Sequence, residues 1–228
     1  ADTVLLDTNS HIDLFVQAFK LDKSKFERVF VGADEDVFFP RKVEGQKGFE
    51  ILYYGTFLPL QGIEYVVEAA KLLESDRDIR FKVIGKGITY PRIMRLVKKL
   101  RVRNIRFFDW VPYEALPSEI AGADICLGGH FSAIPKAGRV IPGKVFQMIA
   151  MKKPVVLGNG PGNRELFEHK RNAFFCERAN PEAMADAIAS LESNPSLMKT
   201  IGENAYTTYK QRCGSDIIGR EIRDIARR

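Results

Sequence analysis

The sequence has few of the residues that build disulfide scaffolds, metal centres and membrane spans. Its three cysteines are an odd set without metal-ligand spacing, which indicates a reducing compartment, and its three histidines are too scattered for a metal site. No run of about 18 apolar residues occurs, so the sequence offers no candidate helix for crossing a bilayer. The first residues lack a basic segment and an initiator methionine, so we expect no signal peptide and a chain that is a fragment of a longer protein.

Basic residues outnumber acidic ones, and the formal net charge is +6. Much of the excess lies between Arg92 and Arg106, a stretch that contains no acidic residue. Its apolar residues recur at helical spacing, so we interpret the bases as the exposed face of an amphipathic helix. Aromatic residues do not interleave with these bases, so we expect no nucleic-acid partner. A basic module that binds nucleic acid and a weak attraction to anionic lipid head groups stay as alternatives.

From Phe49 onward, short apolar runs alternate with amphipathic segments. This alternation predicts right-handed β-α-β units and therefore an α/β fold, a Rossmann-like parallel sheet with helices on both faces. The predicted strands are F-E-I-L-Y-Y-G, I-R-F-K-V-I-G, I-R-F-F-D-W, D-I-C-L-G-G, P-V-V-L and A-F-F-C. The predicted helices cover residues 62–73, 90–100, 114–121, 143–150, 164–167, 181–191, 195–210 and 216–226. Ligands of such sheets bind beyond the carboxyl ends of the strands, so we expect the site in the loops that follow them.

The first part of the chain has a different pattern, with predicted strands over residues 4–6 and 29–31 and a helix over 11–19. We therefore divide the chain into residues 1–38, a linker over 39–48 and an α/β domain with C-terminal helices over 49–228. The early strands would have open edges, and these could pair with a second copy of the chain. We expect either a homodimer formed through these strands or a disordered start.

The most informative segment runs from Lys136 to Gln147 and reads K-A-G-R-V-I-P-G-K-V-F-Q. It places Lys136, Arg139 and Lys144 around a Pro-Gly turn that opens a helix. Unpaired N–H groups and the positive end of the dipole favour an anion there, so the segment predicts a site for a phosphorylated ligand. A solvated basic loop is the alternative, but the bases bracket the apolar V-I-P, which favours the anion site.

Two glycine loops also follow predicted strands. The loop Y-Y-G-T-F-L-P-L-Q-G would bring N–H groups close to an anion, although a plain strand-to-helix turn is the alternative. G-K-G at 85–87 lacks the third glycine of a dinucleotide fingerprint, so it indicates a tight turn at a ligand site. The acidic triplets at 34–36 and 76–78 resemble a two-carboxylate metal motif but lie away from the strand ends, so we expect no metal at either.

Together these motifs resemble the C-terminal, donor-binding half of the retaining GT-B glycosyltransferases of group 1 (family 4). The resemblance rests on V-F-V-G-A-D-E-D-V-F-F-P at the hinge, Y-Y-G-T-F-L-P-L-Q-G-I-E, F-K-V-I-G-K-G, D-W-V-P-Y-E-A-L-P-S, A-G-A-D-I-C-L and K-A-G-R-V-I-P-G-K-V-F-Q-M-I-A-M-K-K-P-V-V. It implies transfer of a hexosyl group from a nucleotide-diphosphate sugar to a glycan or lipid acceptor, with retention and without a metal or other cofactor. Residues 1–38 would then be the last β-α-β piece of a missing acceptor domain.

The resemblance also implies roles for particular residues. Lys136, Arg139 and Lys144 would neutralise the diphosphate leaving group, which is electrostatic catalysis. The base would lie against the loop that holds Trp110, Val111 and Leu116. The other implied donor-binding residues are Gly55, Thr56, Gln61, Gly85, Lys86, Val140, Ile141 and Gln147.

Five positions depart from the family pattern. Thr56 and Gln61 stand where many members have an arginine and a lysine, and Lys152 stands where a glycine is usual. Arg139 and Gln147 replace two glutamates, and the neutral Gln147 should bind ribose hydroxyls less strongly than a carboxylate. A catalytically weakened nucleotide-binding relative is therefore one alternative function. A GT-B nucleotide-sugar epimerase is another, with Glu165 as its one suitably placed acid.

The family also sets expectations for the environment of the protein. We expect it in the cytoplasm, in polysaccharide or glycan biosynthesis, with peripheral contact at the inner membrane face as an option. The reaction of such enzymes takes place between two halves, so we expect the fragment alone to be inactive or weak.

Overall fold

The computed structural model describes residues 2–41, 48–75 and 78–227. Its strands are β1 Val4–Leu6, β2 Phe26–Arg28, β3 Phe49–Tyr54, β4 Ile79–Ile84, β5 Ile105–Phe108, β6 Ile125–Gly129, β7 Val155–Gly158 and β8 Phe174–Cys176. Its α-helices are α1 Asn9–Phe19, α2 Ile63–Leu72, α3 Tyr90–Leu100, α4 Leu116–Gly122, α5 Gly143–Ala150, α6 Pro161–Arg164, α7 Pro181–Glu192, α8 Pro195–Arg212 and α9 Ser215–Ala226.

Six parallel strands form the main sheet in the order β5-β4-β3-β6-β7-β8. The predicted parallel α/β fold is thus confirmed. From β3 the chain builds outward through β4 and β5, then returns to place β6 on the other side of β3. The order therefore reverses between β3 and β6, and the loops after these two strands flank the crevice where ligands of such sheets bind.

Apolar residues point to both faces of this sheet because successive side chains of a strand alternate. In β3, Leu52 and Tyr54 join the core beneath α4, α5 and α8, whereas Ile51 and Tyr53 join the core beneath α2, α3 and α7. Strands β6, β7 and β8 are buried along their whole length, which explains their continuous apolar runs, whereas the edge strand β5 is largely open. All three cysteines are free and buried in this interior.

The N-terminal unit, residues 2–31, contains β1, α1 and β2, and its two strands pair in parallel. The prediction of a strand over 29–31 was wrong, since β2 ends at Arg28. Phe30 is only 2% exposed and belongs to the core of the large domain, so the chain leaves the small sheet there. Helix α1 begins two residues earlier than predicted because the side chain of Thr8 accepts a hydrogen bond from the backbone N–H of His11 and caps the helix.

Other boundaries differ from the predictions for local reasons. The helix predicted over 164–167 is α6 at Pro161–Arg164, because Pro161 suits a first helical turn and Phe167 instead packs in the core. Helix α4 begins at Leu116, after a 3-10 turn at Tyr113–Ala115. Of the predicted linker 39–48, residues 42–47 lie outside the described residues, as do residues 76 and 77 of the second acidic triplet. Within the described ranges, no helix combines the length and apolarity needed to cross a membrane.

Candidate functional site

A cleft of about 500 Å³ opens beyond the carboxyl ends of β3 and β6. Its walls come from the loops after these two strands, from the basic segment (Lys136–Gln147) and from the N-terminal unit. A second cavity, of about 600 Å³, lies near Arg80 and Asn104 at the amino ends of β4 and β5. We assign the candidate site to the cleft, because it lies at the switch point of the sheet.

Lys144 carries the main positive charge inside the cleft. It is the second residue of α5, and its Nζ donates a hydrogen bond of 3.1 Å to the carbonyl oxygen of Tyr54. Nζ also lies 3.6 Å from the centroid of the Tyr53 ring, and burial lowers the pKa of the ammonium group. Among the described residues, no carboxylate lies within ion-pair distance of Nζ. Within the described ranges, the Lys144 cation is therefore not paired with a carboxylate.

Two glycine residues leave open space next to the ammonium group of Lys144. A Cβ on Gly55 would lie 3.7 Å from Lys144 Nζ, and Gly55 has a φ of +143° that disfavours other residues. At Gly143, where α5 begins, a Cβ would meet no atom within 4 Å. The helix start is therefore open to solvent at Gly143, next to the ammonium group.

Gln61 also lines the cleft and takes part in a small hydrogen-bond network. Its Oε1 accepts a hydrogen bond of 3.0 Å from the hydroxyl of Tyr53 and lies 3.2 Å from Nδ1 of His130. Because an amide oxygen only accepts, His130 carries its hydrogen on Nδ1 in this arrangement. Burial, together with the charges of Lys144 and Lys136, lowers the pKa of His130 to about 3, so the ring is neutral at pH 7. The NH₂ group of Gln61 has no partner among the described residues and is available to a ligand.

The basic segment is held in place from several sides. Arg178 donates hydrogen bonds to the carbonyl oxygens of Ser132, at 3.1 Å, and Ile134, at 3.0 Å, just before the segment begins. At the other end of the segment, Oε1 of Gln147 accepts a hydrogen bond of 2.9 Å from the hydroxyl of Tyr54, the last residue of β3. The segment is therefore fixed at both ends, and Gln147 is oriented by a neutral partner.

The N-terminal unit closes one side of the cleft. Oδ2 of Asp7 accepts a hydrogen bond of 3.2 Å from the backbone N–H of Ile141, and the hydroxyl of Thr8 donates to the carbonyl oxygen of Arg139. The carboxylate of Glu165 accepts hydrogen bonds of 2.8 Å from the backbone N–H groups of residues 9 and 10 at the start of α1. The contacts of Asp7 and Thr8 join the N-terminal unit to the basic segment, and those of Glu165 join it to the end of α6.

The structure brings part of the predicted site together. The predicted residues that line the cleft are Gly55, Gln61, Lys136, Val140, Ile141 and Lys144. Those that do not line it are Thr56, Gly85, Lys86, Trp110, Val111, Leu116, Arg139 and Gln147.

The residues outside the cleft have varied surroundings. Lys86 forms an ion pair of 2.5 Å with Asp109, and Trp110 is 63% exposed. Val111 and Leu116 pack against the core, and Arg139 meets the N-terminal unit through its backbone. The loop predicted for the base therefore does not line the cleft and is open to solvent at Trp110.

Sequence reasoning missed several residues of the cleft, among them Asp7, His11, Tyr54 and His130. Asp7 and His130 directly follow β1 and β6, so the rule that selects strand ends could have found them. His11 could not be found in this way, because it lies within a helix and reaches the cleft only through the packing of the N-terminal unit. In the described part of the chain, no three His, Cys, Asp or Glu side chains are grouped so that they could hold a metal ion.

Comparison with known proteins agrees with this architecture. An uncharacterized glycosyltransferase of Methanocaldococcus jannaschii is 26% identical over 195 residues, which are 84% of this chain and 52% of that protein. Alpha-D-kanosaminyltransferase of Streptomyces kanamyceticus is 26% identical over 157 residues, 68% of this chain and 39% of that protein. The chain therefore spans about half, or less, of the length of these relatives.

Solved structures support the fold. The structure of Anabaena HepE in complex with UDP and glucose superposes with a TM-score of 0.86 at 18% identity, over 99% of this chain and 63% of that one. At this identity the likeness concerns the fold alone. The family described as glycosyl transferases group 1 matches residues 34–208, which are most of the sequence. The chain thus belongs to the group 1 glycosyltransferases.

Proposed function

We propose that the chain is the donor-binding half of a glycosyltransferase that uses a nucleoside-diphosphate sugar and retains the configuration at the anomeric carbon. The observation that carries this proposal is the half-buried Lys144, which forms no ion pair with the described residues and lies at the start of α5 beside the switch point. A diphosphate would supply the missing negative charge and accept hydrogen bonds from the backbone N–H groups at this helix start. HepE, a protein of the same fold, has been crystallised with UDP and glucose.

In this proposal, Lys136 and Lys144 neutralise the charge that develops on the diphosphate as the sugar leaves. Preorganised cations contribute most where water is excluded, and Lys144 is the more enclosed of the two. Arg139 has no ion pair among the described residues. We propose that its side chain also neutralises the charge of the diphosphate. The NH₂ group of Gln61 binds a phosphate oxygen as a neutral donor. We propose that the reaction needs no metal ion.

The nucleoside would extend from the diphosphate toward the loop that holds Trp110, Val111 and Leu116. We propose that Gln147 binds the ribose, and that the exposed Trp110, with the backbone of Val111 and Leu116, contacts the base. Thr56, Gly85 and Lys86 complete the loops along this path. Gly85 is required there, because a Cβ at this position would lie 2.2 Å from the carbonyl oxygen of Gly55.

The epimerase alternative finds no support in the position of Glu165. Both of its carboxylate oxygens accept hydrogen bonds from the start of α1, so the group serves as a helix cap. Glu165 does not line the cleft, and Asp7, an acid that does, is held by His11 and by the backbone N–H of Ile141. We therefore favour sugar transfer over epimerisation.

Calorimetric titration of the chain with UDP, GDP, ADP and TDP tests the proposal. We expect one nucleoside diphosphate to bind, and Lys144→Met to weaken it by about thirtyfold or more, as loss of a charged hydrogen bond worth about 2 kcal/mol gives. Lys152→Met is the matched control, since Lys152 pairs with Glu203 on the surface. Absence of binding by all four, or equal binding by wild type and Lys144→Met, would contradict the proposal.

A further inference from the structure

The wall of the cleft that the N-terminal unit provides differs in chemistry from the basic wall. Asp7 and His11 both line the cleft, and their side chains are 16% and 14% exposed. Nδ1 of His11 lies 2.8 Å from Oδ1 of Asp7, while Oδ2 of Asp7 accepts from the N–H of Ile141. One cleft therefore has a cationic end, at Lys144, and an end that carries a carboxylate and an imidazole.

The Asp7 carboxylate determines which nitrogen of the His11 ring donates a hydrogen bond. A carboxylate oxygen accepts hydrogen bonds, so Nδ1 of His11 is the donor in this pair. Nε2 is then the remaining polar atom of the ring, and in a neutral ring it is an acceptor. In the part of the chain that the structure describes, no hydrogen bond to Nε2 is formed. The ring packs edge-on against Phe15, with 5.1 Å between centroids, which restricts its orientation.

This end of the cleft suits a neutral polyol better than a phosphate. The charge of Asp7 would repel a phosphate group, whereas a sugar hydroxyl can donate a hydrogen bond to an imidazole nitrogen or a carboxylate oxygen. The pair is also rigidly placed, because Thr8 is fully buried and Glu165 caps the helix on which His11 lies. A rigid acceptor group is what selective binding of hydroxyl groups requires.

We propose that Asp7 and His11 bind the hydroxyl groups of the transferred sugar, with Nε2 of His11 making the direct contact and Asp7 positioning the ring. This inference rests on the proposed function, since it assumes that the cationic end of the cleft holds the diphosphate. It assigns a sugar-specificity role to a segment that lies outside the matched family region, which begins at residue 34.

The test compares a nucleoside diphosphate with its sugar-bearing form in calorimetric titrations. The preferred nucleoside diphosphate is measured first, followed by its glucose, galactose, mannose and N-acetylglucosamine conjugates. The sugar that raises the affinity of the wild type most is kept as the probe. His11→Ala removes both ring nitrogens, whereas His11→Asn keeps a donor for Asp7 and removes only Nε2. Asp13→Asn, on the exposed side of the same helix, is the control.

We expect both His11 variants to bind the sugar conjugate about tenfold more weakly, as loss of one hydrogen bond gives, and the nucleoside diphosphate within about twofold of wild type. Recovery of wild-type affinity in His11→Asn would overturn the inference, because His11 would then only support Asp7. The inference would also fail if both variants lost affinity equally for the nucleoside diphosphate and for its sugar conjugate, or if no sugar changed the affinity of the wild type. Absence of any nucleoside-diphosphate binding would instead overturn the proposed function itself.

Discussion

At the residue scale, the cleft depends on neutral side chains that orient one another around Lys144. Tyr53 places its ring beneath the ammonium group and its hydroxyl on Gln61, so one side chain contacts both cleft-lining residues. A cation over an aromatic face is stabilised without a counter-ion, which keeps the charge available to a ligand. Gln61, in place of a second lysine, avoids repulsion between two buried cations.

The buried ring of His130 should make the protein sensitive to acid. Its pKa is lowered to about 3 in the folded state, whereas an unfolded histidine titrates near 6.5. The unfolded state therefore binds a proton first, and the free energy of unfolding falls as the pH decreases from 6.5 toward 3.

We expect His130→Asn, which does not titrate, to remove this part of the pH dependence. Relative to the variant, the wild type should lose about 2 kcal/mol of stability between pH 7 and pH 4.5. Urea unfolding of both proteins at a series of pH values measures the difference. Parallel stability curves would show that His130 is not the buried neutral base described above.

At the element scale, the turn before the large domain is fastened to the last two helices. Glu35 accepts hydrogen bonds from Lys210 of α8, at 2.8 Å, and from the hydroxyl and backbone N–H of Ser215, where α9 begins. The hydrogen bond from Lys210, with those from Ser215, lowers the pKa of Glu35 to about 2. This acid of the first triplet therefore has a structural role, and it connects elements that are far apart in the sequence.

Replacing Glu35 by glutamine should destabilise the protein by about 1 kcal/mol at pH 7, a value reduced by solvent screening. The folded pKa is depressed, so the contribution is present above pH 4.5 and disappears as the pH falls toward 2. Urea unfolding of the wild type and Glu35→Gln should converge over this range. Asp36→Asn is the control, because the Asp36 side chain makes no ion pair among the described residues. A difference that persists to the lowest pH would contradict the assignment.

The elements show which features of the fold follow from local sequence. Helix α5 was predicted with its observed bounds, since Pro142 and Gly143 mark its start and apolar residues cover its buried faces. The strand predicted at 29–31 failed because Phe30 is apolar for another reason, its packing in the core of the large domain. A short apolar run indicates burial, but it does not identify the partner against which it is buried.

At the scale of the whole molecule, the candidate site is assembled from distant parts of the chain. Lys136 and Lys144 were predicted because one segment holds both the charges and the helix start. The pairing of Gln61 with His130 and the approach of Asp7 to Ile141 span 69 and 134 residues. The strand-end rule could have singled out Asp7 and His130, but no local pattern encodes the partners that they meet in the folded chain.

A crystal structure of the chain with its preferred nucleoside diphosphate tests the central claim most directly. We predict that the phosphates lie at the start of α5, within about 3 Å of Lys144 Nζ and of the NH₂ group of Gln61. The same map should place the base beside Trp110. A diphosphate bound elsewhere, such as the cavity near Arg80 at the opposite ends of the strands, would contradict the account.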